Sequence, residues 1–224
     1  MTEKPQFRVT KVYDVLAATP MVVIYALAVF VNLIPDVRAK ISELPSPAAW
    51  LDIARDASNI TYFAVIIALV FLRRTPVARS AGILPRAVAL ASVTMVVIRP
   101  KFLPFAHLPM TLEAIAVALT VFGTVVSVVV LVSLGRSFSI LPEARRLVAT
   151  GPYRIVRHPL YVVEEIGNFG VMLQYLQPWS LLLEIVNISL QLWRISYEER
   201  VLTQTFPEYA TYAARTRRLI PGLY

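Results

Sequence analysis

Two short polar clusters hold the residue types from which a reaction centre can be built, in a chain that is otherwise apolar. The first is Arg157-His158-Pro159-Leu160-Tyr161, at the end of the proline-punctuated stretch 147–161. It sets an imidazole beside a guanidinium and a phenol, and His158 can accept or donate a hydrogen bond at a bound ligand. Glu164 and Glu165 follow at the mouth of an apolar run. A carboxylate that enters a membrane segment is costly to bury and by default marks a polar cavity. The second cluster is Arg194 with Glu198-Glu199, in which Arg194 and Glu198 stand at i, i+4 and share a helix face. Each cluster also has a plain structural reading: His158 and Tyr161 as interfacial caps of the next helix, and Arg194 with Glu198 as an interfacial ion pair.

What joins the clusters is their placement. An apolar run, 166–193, separates them, and Gln177-Pro178-Trp179 interrupts it. Proline there disfavours one continuous helix, so the run reads as two helices forming a hairpin in the bilayer. A hairpin returns the chain to the side it left. The two clusters are therefore expected to converge on one cytoplasm-facing pocket roofed by apolar helices, which suits a soluble cofactor entering from the cytosol and a lipophilic acceptor arriving from the bilayer.

The elements that must hold such a pocket are membrane helices. Of 224 residues, 57% are hydrophobic and only 16% charged, against roughly 25% charged in soluble chains. The expected fold class is all-α: a polytopic integral membrane protein with about five to six transmembrane helices, a C-terminal helical hairpin and a cytoplasmic cofactor pocket. The net charge of +8 raises nucleic acid as a partner, but the bases flank apolar runs as anchors to anionic head groups, and no separate basic face with interleaved aromatics exists. Cysteine is absent, which excludes disulfides, thiolate metal sites and cysteine nucleophiles; no metal site is expected.

Along the chain, the charged segment 1–14 leads into an apolar run without a small-residue cleavage site, read as a retained first span, 15–34, rather than a removed signal peptide. Pro20 falls in its first turns, and 35–47 is a loop or a short interfacial helix. A second span follows at about 50–72, its apolar part starting near Ala57, after Asp52, Arg55 and Asp56. Arg73, Arg74, Arg79 and Arg86 mark the next connection as cytoplasmic. The run 87–98 spans only if its helix begins near Ala81, with Pro85 starting or kinking it. Arg99-Pro100-Lys101 closes it, and the loop to Pro109, with His107, is assigned to the far side. Residues 111–134 form the clearest span, with Glu113 in the first turn, where the helix dipole favours an acid.

Arg136, Arg145, Arg146, Arg154 and Arg157 then return the chain to the cytoplasm. From Arg194 the tail has a helical pattern, with Leu202, Phe206, Tyr209 and Tyr212 at matching spacing. Both termini are expected in the cytoplasm, in a bacterial inner membrane. Residues 1–134 carry the N-terminal transmembrane helices, and residues 135–224 the pocket.

The second region resembles the isoprenylcysteine carboxyl methyltransferase family, including its bacterial membrane branch. The likeness is carried by Leu147-Val148, Gly151-Pro152-Tyr153, Arg157-His158-Pro159 and Tyr161, then by Arg194, Glu198-Glu199, Leu202, Phe206 and Tyr209, and it covers residues 135–221. It implies S-adenosylmethionine as methyl donor, with S-adenosylhomocysteine as product. The cofactor-binding residues it implies are Leu147, Val148, Gly151, Tyr153, Arg157, His158, Pro159, Tyr161, Glu198 and Glu199. It also implies Arg194 near the methyl acceptor, with Glu164 and Glu198 as further catalytic groups. The expected activity is methylation of a lipophilic acceptor, carboxylate or amine, at the cytoplasmic face.

The chemistry agrees with that implication. Methyl transfer from a sulfonium is an in-line displacement with an activated donor, so a carboxylate acceptor needs positioning and exclusion of water more than a base. An arginine orients an anionic acceptor by bidentate hydrogen bonds, whereas an amine needs a base such as Glu164 or His158. The chain departs from the family at three places: Arg145 stands where histidine is frequent, Val162-Val163 where glycine is, and Phe206-Pro207 in place of Phe-Gly. The first bears on a cofactor contact, and the second narrows the space beside the cofactor and leaves the acceptor open beyond a prenylated cysteine. Two other readings remain at this point. One is a nicotinamide-dependent membrane reductase related to sterol reductases, for which the short cytoplasmic segments offer little room; the other is a non-catalytic membrane binding protein.

Overall fold

The computed structural model describes residues 10–175 and 177–223, with the backbone alone for 96–102; the charged residues 1–9 and the side chains of Arg99 and Lys101 lie outside the described residues. Helix α1 (Lys11–Leu27) runs through a π-turn, Ala28–Leu33, into α2 (Ile34–Ile41). Then come α3 (Pro47–Leu72), α4 (Leu84–Phe102), α5 (Met110–Leu134), α6 (Pro159–Leu173), α7 (Trp179–Thr205) and α8 (Tyr209–Arg215). Among the described residues, three helical stretches are long and apolar enough to cross a membrane: Lys11–Ile41, Pro47–Leu72 and Met110–Ser137.

The first span differs from its expected limits. Pro20 lies inside the helix rather than in its first turns, and the helix does not stop at Ile34. Pro35 has no N–H and its ring crowds the preceding turn. The π-turn widens the backbone just before it, the Ile34 N–H reaching Val29 instead, so the chain stays helical to Ile41. Helix α4 begins at Leu84 rather than near Ala81, with Pro85 at a first-turn position where a missing N–H is harmless. Its 19 residues reach about 28 Å at 1.5 Å per residue.

The terminal hairpin forms as expected, but its two arms have different neighbours: α6 lies chiefly along α5, and α7 along α4. Glycines explain the first choice. A Cβ built on Gly123 of α5 would stand 2.4 Å from the Gly167 nitrogen, and one on Gly170 would stand 2.5 Å from the Ala116 carbonyl oxygen. Without side chains there, the two backbones touch, which is how membrane helices gain packing energy when no water drives them together. The apolar core joins α1, α3 and α5 through Met21, Tyr25, Ile66, Val70 and Leu131.

The ends of the bundle are distinct. Strand β1 (Ala78–Arg79) pairs antiparallel with β2 (Glu143–Ala144) in the register Ala78↔Ala144, Arg79↔Glu143. The two arginine-rich connections therefore meet at one end. The start of α1 is there too, with Lys11 Nζ donating to the Arg73 carbonyl. At the opposite end Phe105 pairs with Tyr175, and the Ala106 N–H donates to the Gln174 carbonyl at 2.9 Å.

Arg73 and Arg145 are not the head-group anchors expected of that basic end. Arg73 is 2% and Arg145 5% exposed, and both converge on Asp14. Arg73 Nε stands 3.0 Å and Arg145 Nη2 2.7 Å from its carboxylate, and Glu143 receives Arg145 Nη2 at 2.6 Å. A buried charge is tolerated only when matched, and Asp14 in the first turn of α1 provides the match. At the position where the family often has histidine, Arg145 thus binds Asp14 and Glu143.

Candidate active site

Local sequence decides how the first cluster is presented. Gly151 adopts φ +60°, which opens the tight turn Gly151–Arg154. Pro159 starts α6 and bars His158, just before it, from helical geometry, so the imidazole leaves the helix axis toward α7. On α7 the i, i+4 spacing puts Arg194 and Glu198 on one face, and Glu199 turns one position further round.

The two clusters meet. His158 Nε2 lies 3.2 Å from Glu199 Oε1, to which Arg157 Nε donates at 2.7 Å. Arg218 Nε donates to Glu199 Oε2 at 2.8 Å. Glu198 Oε1 accepts from the Tyr161 hydroxyl at 2.5 Å and from Arg194 Nε at 3.2 Å. The Arg194 guanidinium carbon stands 5.0 Å from the Tyr161 ring centroid, and the His158 and Tyr161 rings stack at 5.6 Å. The chain after α8 is strapped to this site: the N–H groups of Arg157 and His158 donate to the carbonyls of Arg217 and Arg218 at 2.7 and 3.0 Å.

Burial alone would raise the Glu199 carboxyl above its ordinary 4.5, but hydrogen bonds from His158, Arg157 and Arg218 outweigh it and hold the group down to about 2. A folded-state value below the unfolded one contributes stability that is complete above about pH 4.5 and is lost as pH falls toward about 2. The protein is expected to lose about 1–3 kcal/mol over that window through Glu199, after discounting for partial exposure. Thermal unfolding in detergent between about pH 6 and about pH 3 should show a smaller drop in Glu199→Gln than in the wild type; equal drops would remove Glu199 as the cause.

Two cavities adjoin these groups. The smaller, about 110 Å³, is lined by Leu147, Val148, Tyr153, Arg157, His158, Tyr161 and Glu198 among others. Gly151, Pro159 and Glu199 are not on its wall; they shape the connection from behind. The larger, about 430 Å³, falls within the range of ligand cavities, about 300–1,000 Å³. Glu164 faces it and accepts a hydrogen bond from the Tyr62 hydroxyl. Glu165 turns elsewhere, receiving Asn187 Nδ2 at 3.0 Å. Phe138, Leu160, Tyr161 and Arg194 line both cavities.

Several contributors carry no signal in the sequence. Tyr62 looks like any interfacial aromatic of a span. Arg218 sits in a basic tail, and Tyr212, although at helical spacing, gives no hint that its hydroxyl donates to the Tyr153 carbonyl at 2.6 Å. Among the described residues no group of three or more His, Cys, Asp or Glu could hold a metal ion.

Fold and site together define a class: a helical membrane protein in which two polar clusters, brought together by a hairpin, separate a small cavity from a large one. Residues 112–209 match the family model described as phospholipid methyltransferase. Protein-S-isoprenylcysteine O-methyltransferase B of Arabidopsis thaliana is 31% identical over 112 residues, 45% of this chain and 55% of that protein. A probable protein-S-isoprenylcysteine O-methyltransferase of Oryza sativa subsp. japonica is 30% identical over 118 residues, 48% of this chain and 60% of that one. A cobalt-zinc-cadmium resistance protein of Cupriavidus metallidurans is 38% identical over 79 residues, 34% of this chain and 36% of that protein. The chain thus spans between 36% and 60% of the length of these relatives. Over these stretches the chain is similar to the phospholipid methyltransferase family model and to the plant protein-S-isoprenylcysteine O-methyltransferases.

Proposed function

We propose that this protein transfers a methyl group from S-adenosylmethionine to a lipophilic acceptor, carboxylate or amine, held in the larger cavity. The observation that carries this reading is the shared wall: Tyr161 and Arg194 line both cavities, so a donor on one side and an acceptor on the other would meet there. The family match and the methyltransferase names of the plant relatives support methyl transfer over a nicotinamide reductase or a non-catalytic role.

In this reading Leu147, Val148, Tyr153, Arg157, His158, Tyr161 and Glu198 line the donor's side, while Gly151, Pro159 and Glu199 hold them in place from behind. The acid there suits a cationic sulfonium. The cavity of about 110 Å³ is smaller than ordinary ligand sites of about 300 Å³ and above, so donor binding goes with movement of its wall. When bound, the cofactor supplies an activated methyl carbon, whose bond to sulfur breaks as the acceptor bonds to it, leaving S-adenosylhomocysteine. Arg194 commits Nε to Glu198 and keeps its terminal nitrogens for an acceptor carboxylate. Glu164 takes the proton when the acceptor is an amine. Apolar helices around both groups keep water out.

The same reading makes residues 135–224 the methyltransferase-like region, with residues 1–134 lending the walls of the acceptor cavity. The gathering of both arginine-rich connections, the start of α1 and the C-terminal strap at one end supports placing that end in the cytoplasm, with α4, α6 and α7 completing about six membrane segments in a bacterial inner membrane.

Calorimetric titration of the purified protein with S-adenosylmethionine is expected to show binding that weakens about 10- to 100-fold in His158→Ala and in Glu198→Ala, the effect of losing a hydrogen bond that involves a charged group. No binding by the wild type, or unchanged affinity in both variants, would remove the donor site.

A further inference from the structure

Methyl transfer gives Arg194, Glu164 and Glu198 their tasks, but it uses neither of two other polar groups on the wall of the larger cavity, Gln191 and Ser127. Gln191 is 7% and Ser127 1% exposed, yet Gln191 Oε1 and Ser127 Oγ have no hydrogen-bond partner among the described residues. Ser127 departs here from the habit of its own helix. The two other buried hydroxyls of α5, on Thr120 and Thr124, donate to carbonyls one turn back, Ala116 at 2.9 Å and Thr120 at 2.7 Å.

Both groups stand near the reacting end. On α7, Gln191 follows Asn187 by one turn and precedes Arg194 by another. Asn187 Nδ2 donates to Glu165, and the Arg194 guanidinium faces the Tyr161 ring, so Gln191 comes level with the part of α6 that carries Glu164. Ser127 lies one turn past Gly123, where α5 meets Val163 and Gly167 of α6; Gly170 meets Ala116, so the two helices run antiparallel. Ser127 is thereby carried toward the start of α6, the level of Tyr161 and Glu164. Burying an unmatched polar group is costly, and a ligand that supplies the bond removes the cost. Gln191 Oε1 can only accept, so what it lacks is a donor, whereas the Ser127 hydroxyl can accept or donate. Neither side chain carries a charge that could match a second ion.

We infer that Gln191, assisted by Ser127, is a specificity-determining residue that recognises an uncharged hydroxyl on the acceptor, close to the carboxylate or amine that is methylated. The placing of the reacting group at Arg194 and Glu164 rests on the methyl-transfer reading; recognition of the hydroxyl does not. A hydroxyl donates to Gln191 Oε1 and still offers its oxygen to a donor such as Ser127, whereas a plain acyl or prenyl chain leaves both side chains unmatched. The acceptor class that fits is a hydroxylated lipophilic acid or amine. Discrimination runs in its stronger direction here, because a site built to hydrogen-bond a hydroxyl rejects the analogue that lacks it.

The test compares 3-hydroxydodecanoic acid with dodecanoic acid, which share a carboxylate and a carbon chain, by equilibrium dialysis against the purified full-length protein in nanodiscs, with empty nanodiscs as the reference. The hydroxy acid is expected to bind about tenfold more tightly to the wild type. In Gln191→Leu this preference is expected to vanish while dodecanoic acid binds at least as tightly as before, a selective change that a merely structural role for Gln191 would not produce. Equal binding of the two probes by the wild type, including no binding of either, or an undiminished preference in Gln191→Leu, overturns the inference. Should Gln191→Leu fail to fold, Ser127→Ala takes its place, with a reduced preference expected and an unchanged one counting against the inference. S-adenosylmethionine binding is measured in parallel. A protein that prefers the hydroxy acid yet ignores the donor keeps this inference and loses methyl transfer; one that binds the donor without that preference does the reverse.

Discussion

Arg194→Ala is expected to lower kcat/KM for methyl transfer by about 100- to 1,000-fold while leaving the affinity for S-adenosylmethionine within about threefold of the wild type. Arg194 is buried in the wall common to both cavities, with Nε on Glu198 and its guanidinium against the Tyr161 ring. In so dry a place a charge-assisted, bidentate contact to an acceptor is worth several kcal/mol. The donor retains Glu198, which Tyr161 still holds at 2.5 Å, so the loss should fall on transfer. Arg194→Lys keeps the charge but not the planar fork and should lie between the two. Single-turnover transfer of labelled methyl, set beside donor calorimetry on the same preparations, reads both quantities. Full activity in Arg194→Ala would move the acceptor elsewhere.

The largest effect on stability is expected from Asp14→Asn, about 3–5 kcal/mol of destabilisation. The carboxylate is 1% exposed and receives two guanidinium groups from distant parts of the chain: Arg73 at 3.0 Å and Arg145 at 2.7 Å. Asparagine keeps the shape and removes the charge. Arg145 would retain Glu143 at 2.6 Å, but Arg73 would be left buried with no carboxylate, and an unmatched buried cation is far more costly than the pair is favourable. Because this knot ties α1 to the end of α3 and to β2, its loss should also loosen the connection that carries Leu147 and Val148. Thermal unfolding in nanodiscs measures it, and a loss under about 1 kcal/mol would mean that the knot behaves as a solvated surface pair.

What the sequence revealed and what it hid follow from range. The hairpin was legible because Pro178 breaks an apolar run locally, and the convergence of His158 with Glu199 followed from that break. The face shared by Arg194 and Glu198 was legible because a helix fixes it within one turn. Asp14, Arg73 and Arg145 were not, since their partners are 59 and 131 positions away and a positive-charge rule counts arginines without knowing which are matched. Pro35 looked like a stop because its missing N–H is visible in sequence and the compensating π-turn is not. Asp52, Arg55 and Asp56 read as a polar lead-in to a span; only the hydrogen bond from Arg55 to Gln174, 119 positions away, shows that Arg55 and Asp56 line the remote end of the larger cavity. Glu164 was picked out by the cost of a carboxylate in a membrane segment, whereas its partner Tyr62 resembled every other interfacial tyrosine.

The most direct test of a donor site and an acceptor site meeting at Tyr161 and Arg194 is label transfer: purified protein in nanodiscs, methyl-labelled S-adenosylmethionine, a membrane lipid extract as the source of acceptor, and extraction into organic solvent. Label should appear in the organic phase with the wild type and be absent with Glu198→Ala. Label that stays wholly in the aqueous phase, from a wild-type protein shown to bind the donor, would contradict the account.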